Sequence, residues 1–298
     1  MDLTSKLKVR NLLKKYRLRP SKGLGQNFLI DKKIVKKIIG AADLKSGDMV
    51  IEIGPGLGIL TQELAKKAKK VIAIEKDPNL ARILNNELRI MKIKSIKVIQ
   101  DDILKILSST TAHFQWAGLP SPCLRAAAKF PIPNSYKVIA NLPFYLTAPV
   151  IRKFLEADAQ PKLMILIIQK EMAQRICSKP PRMNLLAVSV QFYAEPKIIS
   201  YISKGSFWPQ PKVDAAIIKI QISKCKSQNV NKELFFKVVK AGFSQPRKQL
   251  INNLSKKLRI DKIKVESWLW KNNIQPSQRA ETLSVKEWIK LTKSIEFK

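Results

Sequence analysis

Apolar residues along this chain change period about three-quarters of the way through. Up to residue 222 short apolar runs alternate with amphipathic stretches, and from about residue 223 only the helical period remains. The runs at 50–53, 71–75, 96–100 and 136–140 are short, rich in Val and Ile, and bounded by turn residues, so they predict buried strands. Between them, 59–67 and a stretch beginning near Pro78 are spaced as helices. An Asp31-capped segment likewise puts Ile34, Val35, Ile38 and Ile39 on one helical face. Strand and helix in alternation predict a parallel, doubly wound α/β sheet with helices on both faces.

Residues 104–135 interrupt the rhythm with four prolines (Pro120, Pro122, Pro131, Pro133) and no clear period, and read as a surface excursion. Beyond them come a helix at 147–156, a strand at 162–168, helices at 169–177 and 183–194, and closing strands near 197–202 and 213–222. Helices at 232–242, 247–258, 265–272 and 285–294 complete the chain. The expected organisation is a basic N-terminal arm (1–22), a mixed α/β domain (23–222) and a small all-helical domain (223–298).

Charge changes the picture most. The 298 residues hold 56 Lys+Arg against 22 Asp+Glu, a net charge of +34. That excess points to a polyanionic partner, RNA first, and the alternative is a merely solubilising lysine surface. Eight of the basic residues lie in 1–22, as a partly helical arm that could lie along RNA phosphates or as a solvated tail. Cys123, Cys177 and Cys225 lack metal-ligand spacing and suit free thiols in a reducing compartment, and His113 stands alone, so no metal site is expected. No run matches a membrane span or a secretory core, which makes the cytoplasm the expected location, with a short transit segment as the alternative.

The chemistry gathers at strand ends. The first strand runs through Glu52 into Gly54, Gly56 and Gly58, a turn that lets a ligand approach the backbone ahead of a helix N-terminus. The dinucleotide pattern would need glycine at position 59, which is Ile59. Glu75 ends the second strand, where an acid can accept both hydroxyls of a ribose, and Asp101-Asp102 follow the third. Asn141-Leu142-Pro143-Phe144 leave the fourth. There the Asn141 side-chain carbonyl and the Leu142 backbone carbonyl offer two acceptors for the hydrogens of an adenine amine. Pro143 stiffens the turn, and Phe144 offers a face for a base turned out of its stack. A proline turn with Phe144 in the core is the competing reading.

Gln26-Asn27-Phe28-Leu29, Glu52-Ile53-Gly54-Pro55-Gly56-Leu57-Gly58, Ile74-Glu75-Lys76-Asp77, Asp101-Asp102-Ile103-Leu104 and Asn141-Leu142-Pro143-Phe144 occur in the order and rough spacing of another group. From about residue 20 the chain resembles the ribosomal RNA adenine dimethyltransferases, most of all their small-subunit, kasugamycin-sensitivity branch. The resemblance implies a Rossmann-like S-adenosylmethionine-dependent methyltransferase fold. It implies N6-dimethylation of two adjacent adenosines near the 3′ end of 16S ribosomal RNA, by a monomer without a metal. S-adenosylmethionine would be held by Asn27, Leu29, Gly54, Glu75, Asp102 and Asn141. Asn141, Leu142, Pro143 and Phe144 would serve the target base, with Phe207 as a second stacking face and Arg247, Lys248, Lys256, Lys257 and Arg259 gripping phosphates. Asp101 stands where the family has glycine, Phe144 where it most often has tyrosine, and Pro246 where a basic residue is usual. A large-subunit resistance methylase and a non-catalytic RNA-binding factor are the alternatives.

Overall fold

The computed structural model describes residues 3–21, 23–108, 135–223 and 229–295. Most of the excursion, with His113 and Cys123, therefore lies outside the described residues, as does Cys225.

The predicted sheet is present. It contains β2 (Met49–Ile53), β3 (Lys70–Glu75), β4 (Ile96–Gln100), β5 (Tyr136–Asn141), β6 (Leu163–Gln169), β7 (Ala194–Ile202) and β9 (Ala215–Ile222), in the order β4-β3-β2-β5-β6-β9-β7. The first five run parallel, and β9 pairs antiparallel with β6. Every residue of β2 is buried, which explains its apolar run, broken only by Glu52, because a central strand covered on both faces needs no polar side. A separate ribbon pairs β1 (Phe28–Leu29) with β8 (Phe207–Trp208), setting Leu29 opposite Phe207.

The helices sit where their apolar faces require. In α2 (Lys32–Ala42) the Asp31 side chain caps the N-terminus, and Ile34, Val35 and Ile38 are buried against Ile165 and Ile217 of the sheet. α3 (Ile59–Ala65) follows the glycine turn, and α4 (Pro78–Ile90) starts at an Asp77 cap with Pro78 in its first turn. α5 (Ile103–Ser108) occupies the start of the expected excursion, since Ile103, Ile106 and Leu107 are all buried. α6 (Thr147–Glu156) leads back to the sheet.

Two expectations need revision. The basic arm contains α1 (Lys6–Lys15), whose Val9, Leu12 and Leu13 are buried with Phe28, Leu57 and Ile83, so this helix is part of the catalytic unit. The boundary at 223 also differs. The chain forms one compact unit from 1–173 with 197–222 and another from 174–196 with 223–298.

The reason lies in the second unit's own packing. After α7 (Lys170–Ile176), α8 (Leu185–Gln191) leads to Phe192, which stacks on Phe235 of α9 (Lys232–Gly242) with ring centroids 4.1 Å apart. The Met183 N–H donates to Glu281 O at 2.9 Å. α10 (Leu250–Leu258), α11 (Lys262–Lys271) and α12 (Val285–Lys293) complete this unit around the fully buried Trp288. A Cβ on Gly242 would press into the Trp288 ring. Gly242→Ala should therefore destabilise the protein by roughly 1–3 kcal/mol, read as a lowered urea midpoint, despite alanine's better helix propensity.

Candidate active site

Strand order reverses between β2 and β5, and the carboxyl ends there part into a crevice. Gly54, Gly56 and Gly58 form its lip at φ 64°, 58° and 89°, a region that side chains avoid. Gly58 also answers to packing, because a Cβ there would come 2.5 Å from Leu84 Cδ1. At Gly54 the nearest atom to such a Cβ is Asn141 O at 3.7 Å, so that backbone stays approachable.

A cavity of about 340 Å³ occupies the crevice, within the range of about 300–1,000 Å³ usual for small-molecule sites. Asn27, Leu29, Gly54, Glu75, Asp102, Asn141, Leu142, Pro143, Phe144 and Phe207 all line it. These residues come from the ends of four adjacent strands and from the β1–β8 ribbon, and no shorter stretch of chain brings them together.

Their contacts order them. Glu75 is buried and accepts from Gly56 N–H at 3.1 Å and from Asp77 N–H at 2.9 Å, one bond on each oxygen. Burial still pushes its carboxyl above the ordinary value, partly offset by those bonds. Asp102 accepts from Leu104 N–H at 2.9 Å and pairs with the Lys76 ammonium at 2.9 Å. Burial works against its charge, but Lys76 and the backbone bond outweigh it and hold the carboxyl below the usual range. The Asn141 amide donates from Nδ2 to Asn27 O at 3.1 Å, which turns its Oδ1 the other way. Asn27 is fixed in turn by a bond from its Nδ2 to Gly25 O at 3.1 Å.

Phe144 is half-buried on the wall, whereas Phe207, 4% exposed, belongs to the core behind it. Tyr145, 53% exposed, lines the same cavity, although sequence reasoning passed over it. The Lys76–Asp102 pair escaped notice too, because nothing in the local sequence says which carboxylate a lysine between two acids will reach. In the helical unit Arg247, Lys248, Lys256, Lys257 and Arg259 are all exposed.

Glu52 is the anomaly. It is 1% exposed, lines the cavity, and its Oε2 has no hydrogen-bond partner among the described residues. Burial first, and the neighbouring Glu75 as well, raise its carboxyl to about 8. A folded value above the unfolded 4.5 means that the native state holds the extra proton between those values. The stability this contributes is complete below about pH 4.5 and is lost as pH rises through about 8. Thermal unfolding of the ligand-free protein should accordingly lose roughly 1 kcal/mol per pH unit across that window, and the dependence should flatten in Glu52→Gln.

Residues 18–296 match the family described as ribosomal RNA adenine dimethylase. The chain is 41% identical over 281 residues, 94% of its length and 90% of the relative's, to a ribosomal RNA small subunit methyltransferase A of Dehalococcoides mccartyi. Among solved structures, a dimethyladenosine transferase from Plasmodium falciparum superposes with TM-score 0.70 at 23% identity, covering 89% of this chain and 95% of that one. The 23S rRNA methyltransferase ErmE does so with TM-score 0.68 at 24% identity, covering 91% and 100%. These two likenesses bear on the fold, which they share.

Proposed function

The chain belongs to the ribosomal RNA adenine dimethylase family, and from that premise we propose that it dimethylates the N6 amine of two adjacent adenosines near the 3′ end of small-subunit (16S) ribosomal RNA, using S-adenosylmethionine, in ribosome biogenesis. The observation that carries this reading is the convergence of Gly54, Glu75, Asp102 and Asn141 on one cavity.

The lining suits the donor. Glu75 keeps an acceptor pair beside the glycine turn for ribose hydroxyls, and Asp102 can accept from the adenine amine. The uncovered Gly54 backbone, with Asn27 and Leu29, borders the methionine part. When bound, S-adenosylmethionine supplies an electrophilic methyl on a sulfonium. The protein's own part is placement. An adenine amine is a weak nucleophile because its lone pair is delocalised into the ring. Acceptors at Asn141 Oδ1 and Leu142 O draw its hydrogens out of the ring plane and favour the form with a free lone pair. Pro143 fixes the turn that carries Leu142 O, and Phe144 stacks on the extruded base. The pocket must also admit a monomethylated amine, since each adenosine is modified twice. Phe207 acts from behind, as part of the wall.

The target strand is held by its phosphates, through the exposed basic residues of the helical unit. No helix among the described residues is long and apolar enough to cross a membrane. The working form in this reading is a cytoplasmic monomer on a small-subunit precursor. A 23S adenosine, as in a large-subunit resistance methylase, is the second reading. Radiolabelled methyl transfer to under-methylated 30S and 50S particles separates the two. Label confined to 30S is expected, label on 50S alone favours the second reading, and binding without label on either removes the enzymatic one.

A further inference from the structure

We infer that Glu52 carries a proton in the ligand-free protein and releases it when S-adenosylmethionine enters the cavity, so that donor binding and proton release are one linked event. This rests on the donor assignment of the preceding subsection and goes beyond it.

The geometry leads there. Glu52 sits on β2 in register with Ala73 of β3 and Ile139 of β5, two apolar neighbours that offer it nothing. α3 presents the Thr61 hydroxyl, which favours the charged form of Glu52 but is outweighed by burial, and Gly54, Pro55, Gly56 and Gly58 of the turn have no charged side chain. The charged group that acts on it is Glu75 at the end of β3, which is of the same sign. Lys137, on the same face of β5, is held at the far end of the sheet by Asp48 at 2.8 Å. Lys76 lines the same cavity but is paired with Asp102 at 2.9 Å. Among the described residues Glu52 therefore has a buried, unpartnered oxygen and a like charge nearby, and no cation acts on it. A carboxyl so placed keeps its proton at neutral pH, in keeping with its value of about 8.

The donor brings what the site lacks. It carries a sulfonium and an ammonium against a single carboxylate, a net positive charge, and the cavity that would take it is the one Glu52 faces. An opposite charge at about 4–6 Å weakens a carboxyl's hold on its proton by roughly ten- to a thousand-fold. That is enough to carry Glu52 from protonated to ionised near neutral pH. The proton passes to the buffer, and the carboxylate left behind is neutralised by the bound cation. No bond other than O–H is broken.

Isothermal titration of the full-length protein with S-adenosylmethionine near pH 7, in phosphate and in Tris, measures the protons released from the buffer dependence of the heat. Wild type should release between half a proton and one proton more than Glu52→Gln. Between about pH 6.5 and 7.5 its Kd should also tighten more steeply than the variant's, up to tenfold per pH unit. Melting curves establish that the variant folds, and the wild-type pH slope stands as a test without it. Equal proton release and equal pH slopes in the two proteins overturn the inference while leaving the donor assignment intact. Failure of folded wild-type protein to bind S-adenosylmethionine overturns both.

Discussion

Asn141→Ala lowers methyl transfer to under-methylated 30S particles by on the order of 100- to 1,000-fold, the loss typical of removing one preorganised polar group from a reacting centre. The fall should lie in kcat. Truncation removes Oδ1, the acceptor assigned to the target amine, and also the Nδ2 bond at 3.1 Å that ties the end of β5 to Asn27. Asn141→Asp distinguishes these two effects, since it keeps an acceptor and loses the donor to Asn27. Single-turnover kinetics with saturating donor report the chemical step. A variant that turns over like wild type would sink the assignment of Asn141 to the reacting amine, whatever happens to its affinity for the particle.

Glu75→Ala acts earlier, on donor binding. It strips the acceptor from the Gly56 and Asp77 N–H groups and removes the acceptor pair proposed for the ribose. Hydrogen bonds to a charged group contribute about 1.5–3 kcal/mol each, so donor affinity should weaken on the order of 100-fold or more. Removing Glu75 also relieves the like charge on Glu52, whose carboxyl should move back towards its ordinary value. Titration with S-adenosylmethionine checks both effects, and undiminished affinity would exclude Glu75 from the donor site. Particle binding, which the proposed function assigns to the exposed basic residues, should change little.

The sheet and the strand-end residues were readable from the chain because parallel strands advertise themselves as continuous apolar runs, and their last residues face the crevice. Glu75 and Asn141 follow directly from that rule, which brings Asp101 and Asp102 alike to the cavity; the choice of Asp102 rests on the family resemblance. What was not readable depends on partners distant in sequence. The lysines of 6–15 obscured the spacing of Val9, Leu12 and Leu13, which buries one face of α1. Period alone places a helix at 183–194, but not the Phe192–Phe235 stack that groups it with the helical unit. The acidity of Glu52 depends on its depth and on Glu75, neither of which its flanking residues disclose.

The ribbon joining Phe28–Leu29 to Phe207–Trp208 spans most of the catalytic unit in sequence. During synthesis, the five parallel strands can emerge and pair while the partner that fixes Leu29, next to Asn27, is still inside the translating ribosome. Donor affinity should therefore arise late and abruptly in the nascent chain, only after residue 208 has cleared the exit tunnel, well after the parallel strands have emerged.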